Sequence, residues 1–352
     1  MYPRLNIDLD KFYKNTSFFV GMSKDNNVDL MSVTKCFCGD IILAEQQVEA
    51  GVKYLADSRI QNLIKMKDIG APKVLIRIPM QSEVSSIIKY ADISFNSELE
   101  TIKKLNEEAK KQEKIHKILV MIDLGDLREG ILPENVDETV KEIIKLSNIK
   151  IIGFGVNLTC YGGIIPSEDN LGKLVEISEE LESKYNLNLE IISGGNSSSI
   201  YLFDSKKMPN KINNLRLGEA ILLGRETAYG NNIEGTSDDV FVLEAEIVEL
   251  KTKGSVPIGE IGMDAFGNKP SFKEQGFILR AILAVGQQDV NYDGLVPIDS
   301  KIEILGASSD HLLLNLENTN KDYKVGDTIK FKVDYGALLK LYTSEYIEKN
   351  YI

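Results

Sequence analysis

The sequence predicts an α/β protein, a (β/α)8 barrel followed by a C-terminal antiparallel β domain. Up to about residue 227, eight short apolar runs alternate with amphipathic helical patterns, which indicates parallel strands joined by helices. No Gly-x-Gly-x-x-Gly turn follows the first strand, which disfavours the competing doubly wound open sheet. Beyond residue 227, clusters of Gly, Pro, Asn and Asp separate further strand patterns, as is typical of antiparallel β structure.

The order of these patterns predicts each element in turn. A strand at 5–9 and a helix from 10 to about 22 precede the barrel strands, which are predicted at 28–33, 54–56, 74–78, 93–95, 118–124, 151–158, 189–193 and 215–223. Helices are predicted at 41–50, 59–68, 82–90, 99–112, 136–146, 171–185 and, in shorter form, after Asn196. The later strands are predicted at 241–250, 277–285, 302–305, 312–316 and 329–333.

We therefore expect two domains, at 1–230 and 231–352. Residues 1–10 are placed with the barrel, although they are free to pair with the β domain, and 231–239 is a plausible linker. A chain of 352 residues is long for a single core and suits a barrel with a second domain.

Composition and charge exclude several classes of protein. The net charge of −12 argues against a general nucleic-acid binder. No apolar run approaches membrane-spanning length, and the amino terminus runs directly into a strand pattern without a signal peptide. Three cysteines in a chain of this length point to a reducing cytoplasm. We therefore expect a cytoplasmic protein without a nucleic-acid or membrane partner.

The sequence also disfavours a metal centre and a serine hydrolase. Cys36 and Cys38 lack the second pair of ligands that a zinc site requires, so no metal is expected. A Ser-His-Asp triad would have to use His116 or His311, the only histidines, and no Gly-x-Ser-x-Gly elbow is present.

Lys35 directly follows the first predicted barrel strand, at the end where barrels carry their chemistry. Partial burial disfavours the ammonium form of a lysine and makes the free amine available as a nucleophile or base. The alternative is a lysine that extends from a strand end into solvent, and position alone favours this alternative. The other strand ends must therefore decide between the two interpretations.

Two later strand ends have features that suit an anionic ligand. Two glycines precede Asn196 and Ser197 at the start of a helix, where backbone N–H groups and hydroxyls can bind phosphate, although an ordinary helix cap would look the same. Arg216 lies in an apolar run and needs an acceptor, for example a buried carboxylate. A lysine, a phosphate cradle and a buried arginine together predict a pocket for pyridoxal 5′-phosphate, with Lys35 as its Schiff-base partner.

Over nearly its whole length, the chain resembles the alanine-racemase-like family, the fold-type III pyridoxal-phosphate enzymes. Five segments match family motifs. They are the lysine strand (33–35), the Asp-x-Gly-x-x-Arg segment (123–128), the Asn-Ser phosphate loop (195–197), the Arg-x-Gly segment (216–218) and the C-terminal tyrosine (334–336). Each motif is weak alone, but their common order on the predicted strands favours Lys35 as the cofactor lysine. Segments 123–130, 286–290 and 308–311 resemble the subgroup of this family that racemises ornithine.

The resemblance implies an isomerase, an amino-acid racemase that acts as a homodimer with sites shared between subunits. It implies that Lys35 carries pyridoxal 5′-phosphate and exchanges the α-proton on one face of the substrate, and that Arg216 contacts the pyridine nitrogen. The remaining phosphate-binding residues implied by the family motifs are Asn196, Ser197, Gly218, Glu219 and Tyr335. Arg128 is expected at the substrate carboxylate or at the phenolate side of the cofactor.

Three positions depart from the alanine racemases. Cys38 stands in place of a tyrosine after the lysine, and Asn157 stands in place of the histidine under the cofactor ring. Asp264 takes the place of the tyrosine that the partner subunit contributes as the second base. We therefore expect Asp264 to be that base, with Cys38 and His311 as alternatives. Asp264 or Asp310 can instead pair with the side-chain ammonium of a diamino acid.

The expected reaction is the interconversion of L- and D-ornithine by two-base exchange of the α-proton. Lysine, arginine and alanine are alternative substrates. A decarboxylase of basic amino acids on the same fold usually has a glutamate where this chain has Arg216, which speaks against it. A non-catalytic pyridoxal-phosphate carrier resembles the barrel alone, whereas this chain has the additional β domain that completes the site in the racemases.

Overall fold

The computed structural model describes residues 1–352, and its contacts divide the chain into two compact units. The first unit, which we call the barrel unit, comprises residues 10–237. The second, the β unit, comprises residues 1–9 and 238–352. The sequence predicts a boundary after residue 230, whereas the contacts separate the units between Ser237 and Asp238.

After β1 (Arg4–Ile7), which belongs to the β unit, eight parallel strands close into a barrel. These strands are β2 (Asp29–Val33), β3 (Tyr54–Asp57), β4 (Lys73–Leu75), β5 (Ile93–Asn96), β6 (His116–Met121), β7 (Ile149–Gly155), β8 (Ile191–Ser193) and β9 (Asn214–Leu217). Each strand pairs with the next along the chain, and β9 pairs with β2 to close the barrel. The predicted (β/α)8 barrel is confirmed.

Nine helices lie in this part of the chain: α1 (Leu9–Asp25), α2 (Ile41–Glu49), α3 (Ile60–Lys65), α4 (Val84–Tyr90), α5 (Leu99–Lys111), α6 (Pro133–Ile143), α7 (Glu168–Tyr185), α8 (Tyr201–Asp204) and α9 (Glu219–Leu223). Local sequence explains several of their ends. Ser167 and Asn170 form a capping box at the start of α7, and Asn186 ends it in the left-handed conformation. Pro133 begins α6, where its missing N–H costs nothing.

The barrel is filled by apolar side chains from its strands. They form one buried cluster that includes Met31, Val33, Ala56, Val74, Ile93, Phe95, Leu119, Met121, Ile152 and Ile191. Gly153 allows β7 and β8 to approach, because a Cβ at this position would lie 1.9 Å from the carbonyl oxygen of Ile191. The middle of the barrel is therefore a packed apolar core, and we look for the chemistry at the carboxyl ends of the strands and in the loops that follow them.

The prediction of one strand at 215–223 is wrong. Strand β9 ends at Leu217, and α9 begins immediately at Glu219. A short, fully buried helix is as apolar as a buried strand, so the composition of the run could not distinguish the two. The turn at Gly218 separates them and sets the amino end of α9 beside the end of β9.

The β unit confirms the predicted C-terminal antiparallel domain. Its further strands are β10 (Phe241–Gly254), β11 (Phe277–Leu283), β12 (Leu295–Pro297), β13 (Glu303–Ala307), β14 (Leu312–Asn315), β15 (Thr328–Val333) and β16 (Glu348–Tyr351), with α10 (Tyr335–Thr343) before the last strand. The sheet order is β12-β15-β10-β11-β14-β13, and β1 pairs with both β10 and β16. The sequence did not predict β12, α10 or β16.

A buried carboxylate joins the amino-terminal strand to this sheet. Glu244 of β10 accepts hydrogen bonds from Arg4 and Asn6 on β1 and from Thr328 on β15. Because these donors come from distant parts of the chain, Glu244 fixes the register of three strands at once.

No helix of the structure is long and apolar enough to cross a membrane. No group of three or more His, Cys, Asp or Glu side chains is arranged to hold a metal ion.

His116 at the start of β6 predicts how stability depends on pH. Its ring lies 2.8 Å from the Ser94 hydroxyl, and burial lowers the pKa of His116 to about 4, below the ordinary value of 6.5. The unfolded chain therefore takes up this proton near pH 6.5, and the folded chain takes it up only near pH 4. The stability that the neutral ring contributes is present above pH 6.5 and is lost as the pH falls towards 4.

We expect the free energy of unfolding to fall by about 2 kcal/mol more between pH 7 and pH 5 in the natural chain than in His116→Gln. Urea denaturation at the two pH values measures this difference. Other groups titrate equally in both proteins, so equal losses would show that His116 is not the group responsible.

Candidate active site

Lys35 lies in a tight turn that follows β2. The residues Lys35–Phe37 form one turn of 3-10 helix, and Cys38 and Gly39 then adopt positive φ angles of 53° and 61°. Glycine is needed at the second position, because a Cβ on Gly39 would lie 2.9 Å from the Cβ of Asn62. Asp40 caps the following helix α2 by accepting the N–H groups of Ile42 and Leu43. The turn places a half-buried lysine at the carboxyl end of the barrel.

Arg216 of β9 is buried at the same end of the barrel, where uncharged polar groups hold it. Its guanidinium donates to the hydroxyl of Ser193 at 2.6 Å and to the carbonyl of Val156 at 2.7 Å. The guanidinium also lies over the ring of Phe95, 5.1 Å from its centroid. Burial lowers the pKa of Arg216 to about 10, so it remains a cation at neutral pH. The buried carboxylate partner considered from the sequence is replaced by these neutral acceptors.

Asn157 and Asn196 connect the ends of β7 and β8 beside Arg216. The Oδ1 of Asn157 lies 3.5 Å from the guanidinium, and it accepts from the Nδ2 of Asn196 at 3.2 Å. The Nδ2 of Asn157 is buried and has no hydrogen-bond partner, which is costly for an amide donor. This arrangement leaves one unused donor next to a buried cation.

Ser197 and Gly218 meet where α9 begins. The Ser197 hydroxyl lies 3.4 Å from the backbone N of Gly218 and 3.2 Å from that of Ala220. Gly195 has a φ of +112°, and a Cβ there would lie 2.7 Å from the hydroxyl oxygen of Ser199. Hydroxyls and backbone N–H groups are therefore concentrated in one small, glycine-lined region that can cradle an anion.

The closure of the barrel brings Lys35 to this region. The pairing of β2 with β9 aligns Met31 with Arg216, and a Cβ on Gly218 would lie 3.2 Å from the Cβ of Val33. Glu219 follows Gly218 and forms an ion pair with Arg225. Lys35, Arg216 and the anion cradle therefore belong to one set of neighbouring strand ends.

Arg128 follows β6 and forms an ion pair with Glu129. The hydrogen bonds to this carboxylate raise the pKa of Arg128, so it also remains a cation. The charges of Arg128 and Glu129 both act on Arg216, in opposite directions. Arg128 thus contributes to the electrostatics of the site. Its guanidinium is paired with Glu129, so it is not a free anion-binding group.

The remaining predicted site residues belong to the β unit. Asp264 is exposed and accepts the backbone N–H groups of Phe266 and Asn268, and these bonds lower the pKa of Asp264. Asp310 lies beside His311, with 3.2 Å between carboxylate and ring, and both line a surface pocket. Tyr335 is the first residue of α10, in a helix that the sequence did not predict.

Two side chains that hold Arg216, Ser193 and Phe95, were not predicted from the sequence. Ser193 accepts from the guanidinium and donates to Asn214 at 2.6 Å, and Phe95 lies under the guanidinium plane. Both residues lie at or next to the carboxyl ends of barrel strands. Their residue types are common in a core, and nothing in their local sequence distinguishes them.

The barrel end therefore combines an amine, two guanidinium groups, an unused buried amide donor and a glycine-lined cradle. Such a set can bind a phosphorylated, electron-poor ring and keep an amine close to it. Cys36 is buried, and burial raises the pKa of its thiol, which makes it a poor nucleophile next to Lys35.

Comparison with known proteins places this arrangement in a family. Residues 7–226 match the family model described as alanine racemase, N-terminal domain. The chain is 55% identical to an ornithine racemase of Acetoanaerobium sticklandii over 99% of both chains, and 41% identical to a lysine racemase of Thermotoga maritima over 100% of this chain and 99% of that one. It shares its fold with the alanine racemase of Bartonella henselae, solved with covalently bound pyridoxal phosphate, at a TM-score of 0.74, 14% identity and 99% coverage of both chains. The chain belongs to the alanine racemase family.

Proposed function

We propose that the protein is a pyridoxal-phosphate-dependent amino-acid racemase that interconverts L- and D-ornithine by two-base exchange of the α-proton. One observation carries the proposal: barrel closure pairs the strand that precedes Lys35 with the strand of Arg216, and Val33 at its end lies against Gly218. The identity of 55% to an ornithine racemase over almost the whole chain supports the choice of substrate. Lysine is the second candidate, on the 41% identity to a lysine racemase.

The residues at the barrel end fit pyridoxal 5′-phosphate. The Nδ2 of Asn157 and the hydroxyl of Ser198 are buried without partners, so a bound polar molecule would relieve two unfavourable groups. We assign the phosphate to Asn196, Ser197, Gly218, Glu219 and Tyr335, with Lys35 as the covalent attachment and Asn157 at the ring. When bound, this cofactor supplies an electron sink for the charge left at the α-carbon.

Each charged residue of the barrel then has a defined part in proton exchange. Lys35 takes or returns the α-proton on one face of the substrate. Arg216 carries no proton that it can readily give up, so a ring nitrogen beside it stays unprotonated, and this favours proton exchange over decarboxylation or transamination. Arg128 supports the substrate carboxylate or the phenolate side of the cofactor.

Asp264 is proposed as the second base, contributed by a partner subunit, with Cys38 and His311 as alternatives. Asp310 is proposed to pair with the side-chain ammonium of the substrate. It is one of two carboxylates that line the surface pocket of the β unit, together with Asp289. Carboxylates are the usual partners of a second ammonium group, because their charge is opposite to that of the ammonium.

A homodimer is supported by apolar side chains that are exposed in the single chain. On the β unit, the segment around Asp264 exposes Ile258, Met263, Phe266, Phe272 and Phe277. At the loops of the barrel unit, Leu127, Tyr161, Ile164, Ile165 and Tyr229 are exposed. Apolar groups concentrated in this way are typical of protein interfaces. We therefore propose that the 258–277 segment of one subunit covers the barrel loops of the other and completes a shared site.

Lys35→Ala should abolish both the visible absorbance of bound cofactor and the racemisation of ornithine, because it removes the amine that would form the covalent attachment and exchange the α-proton. Lys65→Ala is the matched control, since Lys65 only donates to the carbonyl of Cys38 in the same turn. Absorbance spectra and chiral chromatography with alanine, lysine, arginine and ornithine measure the result. Turnover retained by Lys35→Ala would refute the assignment.

Shared sites predict that two inactive variants restore activity together. Lys35→Ala and Asp264→Asn should each be inactive as pure dimers, and a mixed dimer keeps one site with both natural residues. In a statistical mixture about half of the dimers are mixed, and each mixed dimer has one natural site of two. Co-expression of the two variants, each with its own affinity tag, should therefore recover about a quarter of the natural activity. No recovery would argue against shared sites, and full activity of Asp264→Asn alone would remove Asp264 from the mechanism.

A further inference from the structure

Asp57 is a fully buried carboxylate one strand away from Lys35, and it takes no part in the proposed proton transfer. It is the last residue of β3, and the pairing of β2 with β3 aligns Ala56 with Val33. A buried carboxylate is costly unless hydrogen bonds or a cation stabilise it. The groups around Asp57 therefore show what the carboxylate holds in place.

Both oxygens of Asp57 accept hydrogen bonds from uncharged donors. The Thr34 hydroxyl donates to Oδ2 at 2.6 Å, and the backbone N–H of Arg59 donates to Oδ1 at 2.8 Å. The Nδ2 of Asn62 lies 3.1 and 3.2 Å from the two oxygens. Burial raises the pKa of Asp57, and these bonds, together with the charge of Lys35, oppose that rise.

The same residues form a closed ring of contacts around the turn that carries Lys35. Thr34 immediately precedes Lys35, and its carbonyl accepts the N–H of Gly39 at 3.2 Å. Gly39, at the other end of the turn, packs on Asn62, whose amide binds Asp57. We call this ring the Lys35 clamp, formed by Thr34, Gly39, Asp57 and Asn62.

A purely local role would not require all of these contacts. An aspartate in the loop before α3 needs only the N–H of Arg59, and such residues are usually exposed to solvent. Asp57 instead is fully buried and directs one oxygen to Thr34, which is 23 residues away in the chain. The hydrogen bond therefore joins the end of β3 to the residue that immediately precedes Lys35.

We propose that Asp57 is a positioning residue for Lys35, which holds the turn at Thr34 by a hydrogen bond and at Gly39 through Asn62. It does not contact the substrate. Its effect is to fix where the lysine amine is presented, which lowers the entropy that must be lost when a covalent bond forms. The proposal rests on the assignment of Lys35 as the cofactor lysine.

The test is the rate at which Lys35 is trapped covalently. Full-length protein freed of bound cofactor is mixed with pyridoxal 5′-phosphate, reduced with borohydride at timed intervals, and the modified Lys35 peptide is quantified by mass spectrometry. Asp57→Asn and Thr34→Val should each slow trapping about tenfold, because Thr34→Val removes the donor of the bond between the two side chains and Asp57→Asn leaves one acceptor oxygen for three donors. Thr34→Ser keeps the hydroxyl and should stay within about twofold of the natural rate.

Two further variants separate an effect on the position of Lys35 from an effect on the stability of the fold. Thr34→Val combined with Asp57→Asn should be no slower than Asp57→Asn alone, because both act through one bond. Asp40→Ala removes the cap of α2 on the other side of the turn, and it should lower the melting temperature without slowing trapping.

Trapping by Asp57→Asn and Thr34→Val at the rate of Asp40→Ala would overturn the proposal. If Asp57→Asn does not fold, Thr34→Val and Thr34→Ser decide by themselves. Failure of the natural chain to be trapped at Lys35 would instead refute the proposed function, so the two failures can be distinguished.

Discussion

The pairing of β2 with β9 is the constraint on which the candidate site depends. It joins strands that are almost two hundred residues apart in the chain, and it aligns Met31 with Arg216. Without this pairing, the turn of Lys35 and the turn at Gly218 would lie at opposite edges of an open sheet. Closure also buries both faces of the first and last barrel strands. The burial of apolar side chains in the barrel therefore stabilises the positions of the loops at the carboxyl ends of its strands.

Two buried charges near that closure are stabilised differently. Arg216 is held by a hydroxyl, a carbonyl and an aromatic face, and Asp57 is held by a hydroxyl, an amide and a backbone N–H. Neither has a directly hydrogen-bonded partner of opposite charge. Each charge is therefore free to act electrostatically on what lies at the barrel mouth, while its neutral partners fix its position.

Much of this arrangement could be predicted from the sequence, because strand-helix periodicity and strand-end positions are local signals. Arg216 and the glycines before Asn196 were singled out in this way, whereas the position of Lys35 alone favoured an exposed lysine and only the common order of the five family motifs favoured it as the cofactor lysine. The break at Gly218 was missed because a buried helix and a buried strand are equally apolar. Asp57 and Ser193 were missed because their importance comes from partners on other strands, which no local pattern reveals.

The β unit illustrates the same limit. Its long strands alternate clearly, so the antiparallel domain could be predicted, whereas β12 and β16 are three and four residues long and show no distinct pattern. The role proposed for Asp264 depends on the proposed assembly of two copies of the chain, which is a property of surfaces and not of spacing.

The most direct test of the account is exchange of the α-hydrogen of ornithine in deuterium oxide. With purified protein, ornithine should gain one deuterium at its α-carbon whichever enantiomer is supplied, as measured by mass spectrometry. Over the same period, chiral chromatography should show L- and D-ornithine approaching equal amounts. Release of carbon dioxide, or the absence of α-deuterium from both enantiomers, would contradict racemisation of ornithine by α-proton exchange.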